Sequence, residues 1–328
     1  MNTPARWYRQ VAYAEPAMAF AAVLLALNVS IDHSFLDPTN WPSILAVAMP
    51  FVLIAMAAAP AIMSGGGGVD LSIGPLAGLV NAMLIGVLVP NGIVSPVLVV
   101  PATVAIGAAA GAANGVFVAW LRVPPIIATL GTYLAFSGLT LEILPMAGGR
   151  APDWMIALAG GAHGFPLPLL MLVAVALAWQ PLRQSAFGRN LLATGGDQRA
   201  AFTSGIDITT VRFLVYVVAG VIAAATGFAF TVSLGSGDPT AAAPYTLIGV
   251  AGAVLGGVSL SGGRGGLLGG AAGGATLFLV QNLLSLAHVS AFYAQVAYGV
   301  ILILALALNR AIDLFRRRRA ATANLGSG

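Results

Sequence analysis

Long apolar runs separated by short polar or glycine- and proline-rich breaks set the pattern of this chain. Ten such runs fall near 11–29, 43–63, 71–90, 96–120, 124–146, 165–181, 211–232, 245–260, 266–287 and 292–309. Each approaches the roughly 20 residues that carry a helix across a bilayer, and none alternates as a transmembrane strand does. The pattern predicts an all-α polytopic membrane protein, a bundle of about ten spans forming one domain over residues 1–315. Residues 316–328 read as a disordered cytoplasmic tail. Arg6 and Arg9 precede the first run as they would in a signal peptide, but no small-x-small cleavage site closes it, so it reads as a span.

Charge placement orients the bundle. With the N-terminus inside, Arg6, Arg9, Arg122, Arg183, Arg189, Arg199, Arg212, Arg264, Arg310 and Arg316 to Arg319 all lie on the cytoplasmic side, and only Arg150 lies outside. The outer loops instead carry Asp32, Asp37, Asp153 and Asp238. This is the positive-inside asymmetry, and it makes both termini cytoplasmic. The Arg316–Arg319 run reads as a stop-transfer anchor, with an anionic-lipid patch as the alternative.

Composition removes whole classes of function. The chain is 59% hydrophobic and only 7% charged, too little charge for a water-facing surface, which excludes a soluble enzyme or a nucleic-acid-binding domain. It contains no cysteine, so thiolate metal sites and cysteine nucleophiles are excluded. All 14 basic residues are arginine. A phosphate loop of the G-x-x-x-x-G-K-[ST] type is therefore impossible, and any ATP that drives this protein is hydrolysed by another chain.

Three segments carry candidate chemistry. In the first, Ser64-Gly65-Gly66-Gly67-Gly68-Val69-Asp70-Leu71-Ser72-Ile73-Gly74, the glycine run must break the helix. A broken helix in a membrane is tolerated where protein or a watery cavity satisfies the backbone. Asp70 reads as a helix N-cap helped by Ser72, or as a substrate contact, and the two roles are compatible. Its Gly67 to Gly74 part recurs as Gly256-Gly257-Val258-Ser259-Leu260-Ser261-Gly262-Gly263, matching at six of eight positions. Paired interruptions of this kind suggest a duplicated unit and a transport pathway. The second segment lies in the longest cytoplasmic loop, Leu182 to Val211. There Asp197 predicts an N-cap and Gly205 a C-terminal stop for a two-turn helix over 197–204. That helix either lies on the membrane surface or docks into a cytoplasmic partner. The third is the fourfold spacing of Gly107, Gly111 and Gly115, and of Gly266 and Gly270 with Gly269 and Gly273, which predicts close helix packing.

Ionisable residues at membrane depth are few. Glu15 and Glu142 fall near span ends, and no chain of Asp, Glu and His crosses the middle, which disfavours ion coupling. His33, His163 and His288 show no metal-ligand spacing. Trp7, Trp41, Trp154 and Trp179 read as interfacial anchors.

Four stretches in order carry a resemblance. They are Gly67 to Gly74; Asn114-Gly115 through Leu121-Arg122-Val123-Pro124-Pro125-Ile126-Ile127-Ala128-Thr129-Leu130-Gly131; Phe187-Gly188-Arg189 through Gly195-Gly196 to Ala200-Ala201 and Ser204-Gly205-Ile206; and Gly256 to Leu260 with Gly263-Arg264-Gly265. From about the second span to the tenth, the chain resembles the permease subunit of bacterial ABC importers for monosaccharides of the ribose/xylose/arabinose/galactose type. It departs from that family at the four-glycine run and over the first forty residues, which leaves the sugar open. The resemblance implies an inner-membrane permease paired with a second copy or paralogue. It also implies a cytoplasmic ABC ATPase that holds ATP and Mg²⁺, and a periplasmic sugar-binding protein. No cofactor is expected on this chain. The 197–204 helix becomes the coupling helix, with Gly195, Gly196, Asp197, Ala200, Ala201, Ser204 and Gly205 as expected ATPase contacts. The scarcity of membrane charge suits a neutral polar solute, met by Asp70, Ser72, Asn81, Asn114 and Ser259. The alternatives are an ion-coupled transporter or facilitator, or an ABC permease for a nucleoside, polyol, autoinducer or branched-chain amino acid.

Overall fold

The computed structural model describes residues 13–160, 168–290, 293–301, 303, 304 and 307. Trp7, His163, Arg310 and the 316–328 tail lie outside the described residues. Twelve helices are delimited among the described residues: α1 (Glu15–Ile31), α2 (Trp41–Met63), α3 (Ile73–Met83), α4 (Pro96–Gly115), α5 (Pro125–Ile143), α6 (Asp153–Gly160), α7 (Pro168–Gln184), α8 (Ala186–Gly196), α9 (Gln198–Thr203), α10 (Ile208–Leu234), α11 (Tyr245–Leu255) and α12 (Leu267–Leu286). A further helical stretch covers 293–301. No β-strand occurs among them; a single bridge pairs Gly148 with Gly237. All-helical architecture follows from apolar composition, because a helix satisfies its backbone internally where water is absent.

Two helices form the axis. α2 is buried from Ala46 to Met63 except at Val47, and it carries Pro50 and Pro60 inside the bundle. α10 packs against α2, α3 and α4, while α11 and α12 close on the other flank of α2. The small-residue spacing does what it predicts. A methyl group at Gly111 would stand 2.3 Å from the Tyr216 carbonyl oxygen, and one at Gly220 2.3 Å from that of Gly107. The α4 and α10 backbones therefore touch directly. α1 is held to α12 by amides. Asn28 donates to the Leu279 carbonyl at 3.2 Å and accepts from Asn282 at 2.9 Å.

Several spans differ from the hydropathy pattern. Five helices are long and apolar enough to cross a membrane, or six if the bent pair α7 and α8 counts as one. α3 continues through a π-helical stretch, Leu84–Leu88, yet stays short. α11 has 11 residues where a span over 245–260 was expected. α11 starts at Tyr245 as expected and stops early because Gly256 ends it and Gly257 turns the chain with a φ of 85°. The segment before it, between α10 and α11, descends along α3 without helical structure. Asp238 N–H donates to Asn81 Oδ1 at 2.9 Å, and Gly78 sits against Ala242. At the foot of that descent, Thr246 donates to the Leu71 carbonyl at 3.0 Å. The 182–211 stretch is not a plain loop either: α7 runs on to Gln184 and turns by 75° into α8. Ser185 caps α8 by accepting from Phe187 N–H. Trp179 is buried against Phe187 and anchors that bend, not an interface.

Candidate functional site

Three consecutive glycines, Gly65, Gly66 and Gly67, adopt φ of 69°, 62° and 75°, a left-handed region that side-chain-bearing residues rarely enter. The fourth, Gly68, is needed for space, since a methyl there would stand 2.3 Å from the Ala61 carbonyl. The run thus reverses the chain after α2. Asp70 then folds a turn instead of serving as the cap itself: its Oδ1 accepts from Ser72 N–H at 2.9 Å and from Ser72 Oγ at 2.7 Å. Ser72 is the N-cap residue of α3 and makes no side-chain cap bond to the helix.

α3 and α11 meet N-terminus to N-terminus where Thr246 touches Leu71 and Gly74. The positive ends of two helices thereby face the neighbourhood of a buried carboxylate. Asp70, Ser72, Asn114 and Thr132 form one line. Asn114 Nδ2 donates to Ser72 Oγ at 2.7 Å, and Thr132 Oγ1 donates to Asn114 Oδ1 at 2.7 Å. Thr129 accepts from Leu71 N–H at 3.1 Å. All five of these side chains are buried. The hydroxyl of Tyr216, also buried, has no hydrogen-bond partner.

Of the five residues expected on the pathway, the structure brings together Asp70, Ser72 and Asn114. Asn81 lies nine residues further along α3, and its valences are used within the chain. Its Nδ2 donates to Thr231 Oγ1 at 2.9 Å and to the Ser236 carbonyl at 3.1 Å, while its Oδ1 accepts from Asp238 N–H. Ser259 is elsewhere, in the turn after α11, where its N–H donates to the Arg264 carbonyl and its carbonyl accepts from Gly262 N–H. Glu15 and Glu142 are exposed. No group of three or more His, Asp or Glu residues suited to a metal occurs among the described residues.

The short helix expected over 197–204 is present as α9. Asp197 caps it by accepting from Arg199 N–H at 2.9 Å and Ala200 N–H at 3.0 Å, and Gly205 ends it with a φ of 80°. The structure divides the residues expected to touch a partner. Gly196, Asp197, Ala200, Ser204 and Gly205 are exposed. Ala201 is only 4% exposed and packs inward, and Gly195 is enclosed, so a methyl on it would stand 1.9 Å from the Met63 carbonyl. Both therefore face the bundle, while the other five face outward. Sequence reasoning missed Phe202. It is 72% exposed and borders an open cleft with Asp197, Gln198, Arg199, Thr203 and Ile208. A bare aromatic on a six-residue helix was the available signal.

Discontinuous helices meeting inside an apolar bundle, beside a capped helix on its surface, define a polytopic membrane permease. Residues 41–306 match the family model described as branched-chain amino acid transport system / permease component, and the chain belongs to that family. Its members are transport subunits of ABC importers, not enzymes. The chain is 37% identical over 293 residues to the ribose import permease RbsC of Bacillus subtilis, covering 88% of this chain and 90% of that one. It is 32% identical to the D-allose transport system permease AlsC of Escherichia coli K12, over 89% and 90% of the two chains. It is 30% identical to the autoinducer 2 import system permease LsrC of Escherichia coli O157:H7, over 92% and 90%. No solved structure matches the chain.

Proposed function

We propose that the chain is the transmembrane subunit of an ABC importer for a neutral monosaccharide of the pentose or hexose type, working as a dimer with a second copy or a paralogue. A cytoplasmic ATPase supplies the energy and a periplasmic binding protein delivers the sugar. On this reading about ten spans lie in the bacterial inner membrane with both termini in the cytoplasm. α1, α3 and α11 and the stretch from 293 then serve as short or broken spans. The observation that carries the proposal is α9: a helix too short to be stable alone in water, rigidly capped by Asp197, with Phe202 bare on its outer side. The absence of lysine fits a subunit that hydrolyses nothing itself.

The chemistry of the bundle favours a sugar over an amino acid, the substrate in the family's description. A zwitterion brings a carboxylate, and the described residues offer it no buried basic side chain, while the N-terminus of α3, the other kind of anion site, is already met by Asp70 Oδ1 through Ser72 N–H. Hydroxyl and amide side chains such as Ser72, Asn114 and Thr132 suit a hydroxylated neutral solute instead. The relatives named for ribose, allose and autoinducer 2 support the same class. An ion-coupled transporter is disfavoured because Asp70 is the one buried acidic residue among the described residues.

The test is Phe202→Asp in the complex of this chain with its ATPase and binding protein, reconstituted in liposomes with labelled ribose as the probe. The ATPase should dissociate and ATP-dependent uptake should fall to background, while thermal stability of the permease stays within about 1 °C, as for an exposed substitution. Full uptake by Phe202→Asp would refute docking through α9. Uptake driven by an ion gradient without ATPase would refute the importer itself.

A further inference from the structure

α9 is joined to the bundle at a place where three stretches of backbone cross with no side chain between them. Gly195, at the end of α8, lies between the end of α2 and the turn after α11. A methyl on it would stand 1.9 Å from the Met63 carbonyl and 2.5 Å from Gly263 nitrogen. A methyl on Gly262 would stand 2.5 Å from the Gly65 α-carbon and 2.6 Å from the Gly195 carbonyl. One hydrogen bond ties the outer pair together, from Gly263 N–H to the Met63 carbonyl at 3.0 Å. Gly65 stands two residues before the repeated Gly67–Gly74 stretch and Gly262 lies within its counterpart, and the two turns touch each other and α8 at the same point.

The first turn leads on to α3 and the second follows α11, so each adjoins one of the two short helices that meet at Thr246. The 64–72 stretch is held at its near end by Gly195 and at its far end by Asn114, Thr129 and Thr246. It has little freedom to absorb a displacement without passing it to α3 and, through Thr246, to α11. A second link runs beside the first. Arg212, at the start of α10, donates from Nη2 to Gln198 Oε1 at 3.0 Å. The same nitrogen lies 2.3 Å from where a methyl on Gly66 would be. Arg212 thus bridges the first residue of α9 and the glycine turn.

We propose that this glycine crossing, with Arg212 as its positioning residue, transmits movement of the docked α9 to both broken helices at once. The inference rests on α9 docking an ATPase. Close-packed backbones suit this task because contacts of this kind transmit strain instead of deforming gradually. A side chain at the crossing would rotate and lose the displacement; a bare backbone has no such freedom.

Hydrogen exchange on the reconstituted complex tests it, comparing permease alone, permease with ATPase, and the same with ATP on a hydrolysis-deficient ATPase. ATPase binding should protect peptides covering 197–205. Adding ATP should then change exchange in 63–72 and 256–265 together, with the Gly263 amide as the local reporter. A nucleotide response confined to 186–205, or present in only one of the two turns, overturns the proposal. No protection at 197–205 overturns the docking reading and the proposal with it. Gly195→Ala should uncouple ATP hydrolysis from labelled-ribose uptake. Should that variant fail to fold, Gln198→Ala serves: with uptake expressed per bound ATPase, so that any loss of docking at this cleft residue is scored separately, it should leave the melting temperature unchanged and cut uptake per ATP about tenfold, the scale of a lost hydrogen bond to a charged group. Gln198→Glu, which restores an acceptor for Arg212, should return the coupling, and Leu192→Ala on the exposed side of α8 should leave it unchanged. Normal coupling in Gln198→Ala excludes Arg212 from the transmission.

Discussion

Gly111→Ala tests whether the α4 and α10 backbones truly meet. The added methyl would lie 2.3 Å from the Tyr216 carbonyl oxygen and 2.9 Å from the Val217 α-carbon, where side-chain carbons keep at least 3.0 Å. The helices must part by about 0.7 Å at that point, enough to forfeit a quarter or more of the dispersion energy of the facing atoms. Overpacking costs about 1–3 kcal/mol, and the upper end applies because a backbone cannot rotate away. Alanine regains about 1 kcal/mol of helix preference over glycine, leaving a net loss of about 2 kcal/mol. In a chain of this size that lowers the melting temperature by about 3 °C. Thermal unfolding in lipid nanodiscs followed by tryptophan fluorescence measures it. Trp120, stacked on Phe213 at 5.1 Å beside the same contact, reports the separation directly. Gly138→Ala on α5, with nothing within 4 Å, should be neutral or slightly stabilising. A double variant with Gly220→Ala should lose at least about 1 kcal/mol less than the sum, since the first methyl has already opened the gap. Equal melting temperatures for Gly111→Ala and Gly138→Ala, or strict additivity in the double variant, would refute the direct contact.

Asn81→Leu should destabilise by about 2–4 kcal/mol, because it strands the Ser236 carbonyl and Asp238 N–H; Thr231→Val, which removes one partner, should cost about 1 kcal/mol or less. If Asn81 instead lined a pathway, the variant would change sugar selectivity at unchanged melting temperature. Ala201→Arg forces a charge into the contact beneath α9, so limited proteolysis should cut near 197–205 in that variant and not in Phe202→Asp. Asp207 caps α10, and the hydroxyl and N–H of Thr210 hold its carboxyl below the usual aspartate range. Its contribution is therefore complete above the unfolded value of about 3.9 and disappears as pH falls through the depressed folded value. The melting-temperature gap between wild type and Asp207→Asn should close on acidification, and a gap that widens would contradict the sign.

Local chemistry was legible in the sequence wherever one residue type had one structural use. Asp197 and Gly205 bracket α9 as their capping preferences require, and Gly107, Gly111 and Gly115 sit against α10. Hydropathy over-read lengths because it registers burial, not helix. The 245–260 run stays apolar to its end, but Gly256 and Gly257 stop the helix at Leu255, because glycine leaves hydropathy high while ending the helical turn. α8 escaped notice because Arg189, Asn190 and Gly188 dilute its apolar face, while Leu191 and Thr194 bury it. Asn81 was the hardest to place. Its partners lie more than 150 positions away, and no local pattern distinguishes a polar side chain that joins two strands of backbone from one that awaits a solute. The same limit explains Ser259, whose likeness to Asp70 in the glycine repeat is one of turn-making, not of burial.

The crossing of Gly65, Gly195 and Gly262 has a genetic corollary. Every single-base change in a glycine codon that alters the amino acid adds at least one carbon, so no missense allele at these codons restores the native geometry. A random screen for loss of sugar uptake should recover missense alleles densely at these three codons and at their neighbour Gly263. The codons for Gly131 and Gly138, which face open space on α5, should yield silent phenotypes for the smallest replacements.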